Sequence, residues 1–260
     1  MYGRTILLWL ALAALPAMAA DLAPTGTLRA AFLRDNPVQG RVDRTTGAIT
    51  GPVADLVKEL AQRLKVPYAI LPVPDARAVM DALKTHQADI GFLAYDPERA
   101  GEVDFTIPYL LMHASYLVRA DSKIRTSPEV DRPGMRVGAV KGQSQQTYLS
   151  SQLKNGQVKI FETMPPQAEL EKLLLSGEID AFGANRQRMV EAAALSPKLR
   201  VLADDFLVAG QAIVVTKGDS SARLEALNQF LNDVLSSGFV KSSVDQAKLA
   251  GVDVAPAKKR

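Results

Sequence analysis

The chain contains no cysteine and only two histidines, His86 and His113, so its chemistry falls to acids, arginines, amides and hydroxyls. The missing cysteine removes a thiolate nucleophile, thiolate metal ligands, disulfides and a lipidated cysteine. Neither histidine has a carboxylate at helical metal-ligand spacing, and both read as surface or packing residues; no metal site or cofactor is expected. There is no glycine-rich phosphate loop and no Gly-x-Ser-x-Gly elbow. Arg99 follows Asp96-Pro97-Glu98 and precedes Glu102 and Asp104, acids it could pair with on a solvated turn. Gly142-Gln143-Ser144-Gln145 is a loop entering a helix, where backbone N–H groups, a hydroxyl and amides offer an anchor for an anion.

These residues need a scaffold, and the composition permits a globular one. Of 260 residues, 47% are hydrophobic and 23% charged, with 31 Lys and Arg against 28 Asp and Glu for a formal charge of +3. The charges are interleaved except at Lys258, Lys259 and Arg260, so no nucleic-acid footprint is present. Before the scaffold comes a different segment. Arg4, the apolar run Ile6 to Leu15 and Ala17-Met18-Ala19 read as a cleavable secretory signal over 1–19, because ten apolar residues are about half a membrane span. Export to the periplasm follows.

Past the signal, strands alternate with helices. Thr27 to Leu33 reads as a strand. A helix starts at Pro52, with Val53, Leu56, Val57, Leu60, Ala61 and Leu64 on one face. Tyr68 to Val73 is a strand, Asp75 caps a helix carrying Val79, Met80 and Leu83, and Asp89 to Leu93 is a strand. The rhythm restarts after Pro133-Gly134: strand at Arg136 to Val140, helix from Gln143, strand at Val158 to Phe161, helix at Glu169 to Leu175, strand at Ile179 to Phe182. The segments 82–89 and 173–180 resemble one helix-turn-strand element used twice, which argues for two similar α/β lobes. A strand at Ala212 to Thr216 and a helix with Leu224, Leu227, Leu231, Val234 and Leu235, stopped by Gly238, complete the pattern.

Six landmarks in order carry a resemblance: Gly26-Thr27-Leu28-Arg29; Gly47-Ala48-Ile49-Thr50-Gly51 leading to Ala54-Asp55-Leu56; Asp96-Pro97-Glu98-Arg99; Val103-Asp104-Phe105-Thr106-Ile107-Pro108-Tyr109; Arg136 to Gly142; and Gly177-Glu178-Ile179-Asp180-Ala181. Together they resemble the family 3 extracellular solute-binding proteins, periplasmic receptors of polar amino-acid-type ABC importers. The resemblance implies a two-lobed Venus-flytrap fold of periplasmic-binding-protein type II with two hinge crossings. Lobe 1 would be 20–110 and 212–260, and lobe 2 would be 111–211. It also implies a monomer that delivers solute to a permease and ATPase complex in the inner membrane.

In the family, the arginine matching Arg99 clamps a ligand carboxylate, a task suited to the planar fork of a guanidinium. Ser144 stands where relatives use Ser or Thr. The chain also departs from the pattern of receptors for ordinary amino acids. The usual hydroxyl-bearing stretch before the arginine is shortened to Leu93-Ala94-Tyr95-Asp96. The acid that receives an α-ammonium is replaced by Asn185, and the first loop reads Asp35-Asn36-Pro37-Val38 instead of presenting an aromatic. Asp35, Asn36, Tyr95, Asp96, Gln143, Gln145 and Asn185 therefore join Arg99 and Ser144 as expected ligand contacts. Asp35 and Asp96 also read as turn caps, Tyr95 as lobe-1 core and Asn185 as a helix cap. The expected solute is an amino acid, a derivative or a small organic acid, and no catalytic residue is expected. A dehydratase-like enzyme on the same scaffold, with Asp35, Asp96 or Glu98 as its acid, and a sensor component are the alternatives.

Overall fold

A computed structural model describes residues 21–258. The export segment expected over 1–19 lies outside the described residues, as do Lys259 and Arg260. Strand β1 (Leu28–Leu33) shows why the first half needs cover on both faces: Ala30 and Phe32 enter one buried cluster, Ala31 and Leu33 another. Successive strand side chains point to opposite faces, so an apolar strand is packed twice. After the short hairpin β2 (Arg41–Val42) and β3 (Ile49–Thr50), helix α1 (Pro52–Leu64) covers the first face with all six expected stripe residues buried. Strand β4 (Tyr68–Val73) leads to α2 (Ala76–Lys84), which covers the second face through Val79, Ala82 and Leu83. The Asp75 carboxylate accepts the Ala78 N–H at 2.8 Å, the capping expected of it. Strand β5 (Ile90–Ala94) follows.

Strand β6 (Val103–Arg119) then runs without a break for 17 residues out of this half. The second half contains β7 (Arg136–Val140), α3 (Ser144–Gln152), β8 (Gln157–Phe161), α4 (Gln167–Leu175), β9 (Ala181–Asn185), α5 (Arg186–Ala194) and β10 (Leu199–Val201). Its sheet is again packed on both faces, with Leu117 and Phe182 in one cluster and Tyr116, Val118 and Ala181 in the other. Strand β11 (Leu207–Thr216) returns to the first half, where α6 (Ser221–Ser236) and α7 (Phe239–Ala247) join α1 on one face before β12 (Val252–Val254).

The strand order is β4-β1-β5-β11-β6-β9-β7-β8, with β10 and β12 also pairing with β6. In each half the inner pairs are parallel (β1 with β4 and β5, β7 with β8 and β9), whereas β6 and β11 pair antiparallel. The result is a two-lobed α/β fold in which the chain crosses between lobes on β6 and returns on β11.

The suspected internal repeat is visible as one constellation built twice. Asp89 donates its N–H to the Arg29 carbonyl at 2.8 Å and accepts the Arg29 N–H and guanidinium. Asp180 does the same with Arg136. In each lobe an acid at the end of the helix-turn segment thus ties the third strand to the first. That turn also explains a shift from expectation: Ile179 and Asp180 belong to the connection, and the strand occupies Ala181–Asn185. Gly238, read as a stop, is a corner instead: its φ of 78° lets α6 end and α7 begin.

Candidate solute-binding cleft

Between the lobes lies a cavity of about 950 Å³. The first lobe contributes the loop after β1, which turns where the Asn36 side chain accepts the Val38 N–H at 3.2 Å and brings Arg34, Asp35 and Asn36 to the wall. The second lobe contributes Lys141, Gln143 and Gln145 around the start of α3, and Asn185 at the junction of β9 and α5. Five residues expected from sequence therefore meet around one space: Asp35, Asn36, Gln143, Gln145 and Asn185.

Asn185 also caps α5, its side-chain oxygen accepting the Arg188 N–H at 2.9 Å, while its amide nitrogen reaches Asn36 of the other lobe at 3.5 Å. Gln143 is the residue before α3 and makes no side-chain cap of its own. The Gln145 amide, buried, points to the Met112 sulfur at 3.5 Å.

Arg99 lies in the turn after β5 and is 7% exposed. Its guanidinium donates to the Ala94 carbonyl at 3.0 Å and to the Gly142 carbonyl at 2.7 Å. The second bond spans the lobes and ties Arg99 to the loop before α3, although Arg99 itself does not line the cavity. Burial lowers its pKa, and the nearby Asp96 and Glu98 charges offset part of that effect. Ser144 is buried at the first position of α3, also behind the wall. Asp96 is buried as a turn cap, accepting the Glu98 N–H at 3.0 Å. Tyr95 is 53% exposed, meets Phe105 edge-on at 5.3 Å, and stands off the cavity.

The wall also holds charges that the sequence reading did not single out. Arg41 of β2 pairs with Glu191 of α5, a second bridge between lobes, and Lys141 pairs with Glu162 at 2.9 Å. Arg188, half-buried in the first turn of α5, faces the same space; burial lowers its pKa, opposed by the Asp35 and Glu191 charges and reinforced by Arg41. A signal for it was present in the sequence. Arg186 and Arg188 crowd the positive end of a helix, where cations are disfavoured and need a separate reason to be there. Among the described residues no cluster of three or more His, Asp or Glu side chains could hold a metal ion.

Known proteins share this architecture. A glutamine-binding protein of Geobacillus stearothermophilus is 27% identical over 165 residues, a match spanning 62% of this chain and 62% of that relative's length. A crystal structure of a mutant ArgBP from T. maritima superposes with a TM-score of 0.72 at 23% identity, covering 89% of this chain and 99% of that one. The crystal structure of an ancestral amino acid-binding protein, a precursor of cyclohexadienyl dehydratase, gives a TM-score of 0.71 at 24% identity over 88% and 97% of the two chains. The sequence model that describes the bacterial extracellular solute-binding proteins, family 3, matches residues 28–247, running through both lobes, both crossings and the cleft between them. The chain belongs to that family.

Proposed function

We propose that the protein is a periplasmic receptor that closes on a carboxylate-bearing, amino-acid-type solute and delivers it to an ABC permease and ATPase complex. The observation that carries this reading is the interlobe cavity, walled by both lobes and bridged at Arg99–Gly142 and Arg41–Glu191. A site placed between two rigid bodies lets binding energy drive closure, and closure is a shape that a membrane partner can read. We place lobe 1 at 20–110 and 212–260 and lobe 2 at 111–211. The pairing of β6 supports this division, since its partner changes from β11 to β9 near Ala114. The relatives named for glutamine and for amino acids support the solute class.

Arg99 is the proposed carboxylate clamp. It holds the Gly142 carbonyl, so a carboxylate beside that loop would meet uncommitted N–H groups of the same guanidinium and the unpaired start of α3. The likeness to a dehydratase precursor favours an enzyme as the second reading. Against it, every acid on the cavity wall already has a partner: Asp35 lies 3.6 Å from Arg34, Asp75 caps α2, Glu162 pairs with Lys141 and Glu191 with Arg41.

The test is a thermal-shift screen of the purified protein against amino acids, their derivatives and organic acids. A bound solute raises the melting temperature by mass action, about 2.7 kcal/mol of stabilisation at a hundredfold excess over Kd. The expected outcome is a shift with at least one carboxylate compound that Arg99→Ala abolishes while remaining folded. An Arg99→Ala protein that responds like the parent removes the clamp. Turnover of a prephenate-like acid would favour the enzyme.

A further inference from the structure

Arg188 is the cleft residue to which solute capture at Arg99 assigns no task. Its backbone N–H is held by the Asn185 cap, yet its guanidinium makes no hydrogen bond or ion pair with any described residue. The acids that feel its charge are engaged elsewhere: Glu191 accepts from Arg41 and from Gln187, and Asp35 lies beside Arg34. The neighbouring arginines are committed. Arg186, two positions earlier, donates to the Leu202, Ala203 and Asp204 carbonyls and pairs with Asp205. Arg99 already donates to the Ala94 and Gly142 carbonyls and lies behind the wall.

Two penalties attach to a cation at this position. Burial disfavours its charge, and so does the positive end of α5. An anion arriving in the cavity relieves both, and a guanidinium presents a planar fork of N–H donors that fits two oxygens of one acidic group. A neutral side chain would leave those donors dry and unpaired, and a cationic one would be repelled.

We propose that Arg188 receives a second acidic group of the solute. The cleft then prefers compounds with two carboxylates, or a carboxylate and a phosphate or sulfonate, over neutral or cationic amino acids. This inference rests on the capture reading above and adds the solute class to it.

The experiment is calorimetric titration of the purified protein with L-glutamate, L-aspartate, succinate and O-phospho-L-serine, compared with L-glutamine and L-arginine. At least one diacid should bind about tenfold or more tighter than glutamine and arginine. Arg188→Ala should weaken that diacid by roughly 10- to 100-fold at a melting temperature of the free protein no lower than the parent's, since the side chain makes no other pair and its charge carries both penalties. Arg188→Lys should fall between, keeping the charge and losing the fork. Binding led by glutamine or arginine, with Arg188→Ala equal to the parent, overturns the inference and leaves solute capture standing. Diacid binding lost in Arg99→Ala but retained in Arg188→Ala does the same. Silence toward all six compounds overturns the inference, and silence across the whole thermal-shift screen overturns the capture reading as well.

Discussion

His113 shows how much a single side chain at the crossing can report. It sits on β6 with both ring nitrogens engaged, Nδ1 to Asp205 at 2.7 Å and Nε2 to Asp253 at 2.9 Å. Burial works against its charge, but the two carboxylates outweigh it and the pKa is raised. A histidine whose folded-state pKa lies above its unfolded value stabilises fully below the unfolded pKa, about 6.5, and loses that contribution as pH rises through the folded value. The melting temperature of the parent should therefore fall more steeply than that of His113→Gln as pH rises above about 6.5; parallel curves would show that the pairs contribute nothing. In the sequence this histidine reads as an unremarkable packing or surface residue, because its partners lie 92 and 140 positions away. The role of Arg188, whose place at a helix start was itself a signal, was hidden for a related reason: it depends on which acids are already engaged, and that is a property of the assembled wall. Gln143 and Gln145 were legible from the loop that enters a helix at Gly142, whereas Asp35, Asn36 and Asn185 were marked by the family resemblance, at positions where the chain departs from its pattern. Tyr95, expected on the same resemblance, meets Phe105 instead.

At the scale of elements, the duplicated Arg–Asp tie gives a comparison within one molecule. The Asp89 side chain is 3% exposed and that of Asp180 is 29% exposed, with Arg29 and Arg136 at 26% and 46%. Removing a buried acceptor strands its donors at a cost of about 1–3 kcal/mol, whereas an exposed pair contributes about 0–1 kcal/mol. Asp89→Ala should thus destabilise the protein clearly more than Asp180→Ala in urea unfolding, and equal midpoints would contradict the argument. Elements that carry a periodic apolar face, such as α1, and short apolar runs, such as Tyr68–Val73, were legible from sequence to within a residue or two. β6 was not: its burial switches partners along its length, so no single alternation marks all 17 residues. α7 was missed because the glycine that ends α6 also starts α7.

For the whole molecule, the lobes meet at more than the cleft. Gly251, beside β12, has φ of +64°, and a Cβ there would stand 2.5 Å from the Arg186 Cβ at the start of α5. Gly218 has a similar φ of +72° with nothing within 4 Å, so it isolates backbone strain from collision. Gly251→Ala should enlarge the radius of gyration in solution scattering and weaken solute binding, while Gly218→Ala leaves both unchanged. Matching profiles for the two variants would show that this contact does not set the lobe arrangement. The crossing itself is broader than two chain passages imply, for at Leu110 to Met112 strand β6 is flanked by β11 on one edge and β12 on the other. A joint laminated in this way has little slack. Rotation has to be distributed as twist over three bonded ribbons, which favours a narrow arc of travel and makes the pace of solute exchange a matter of elastic stiffness as well as of grip.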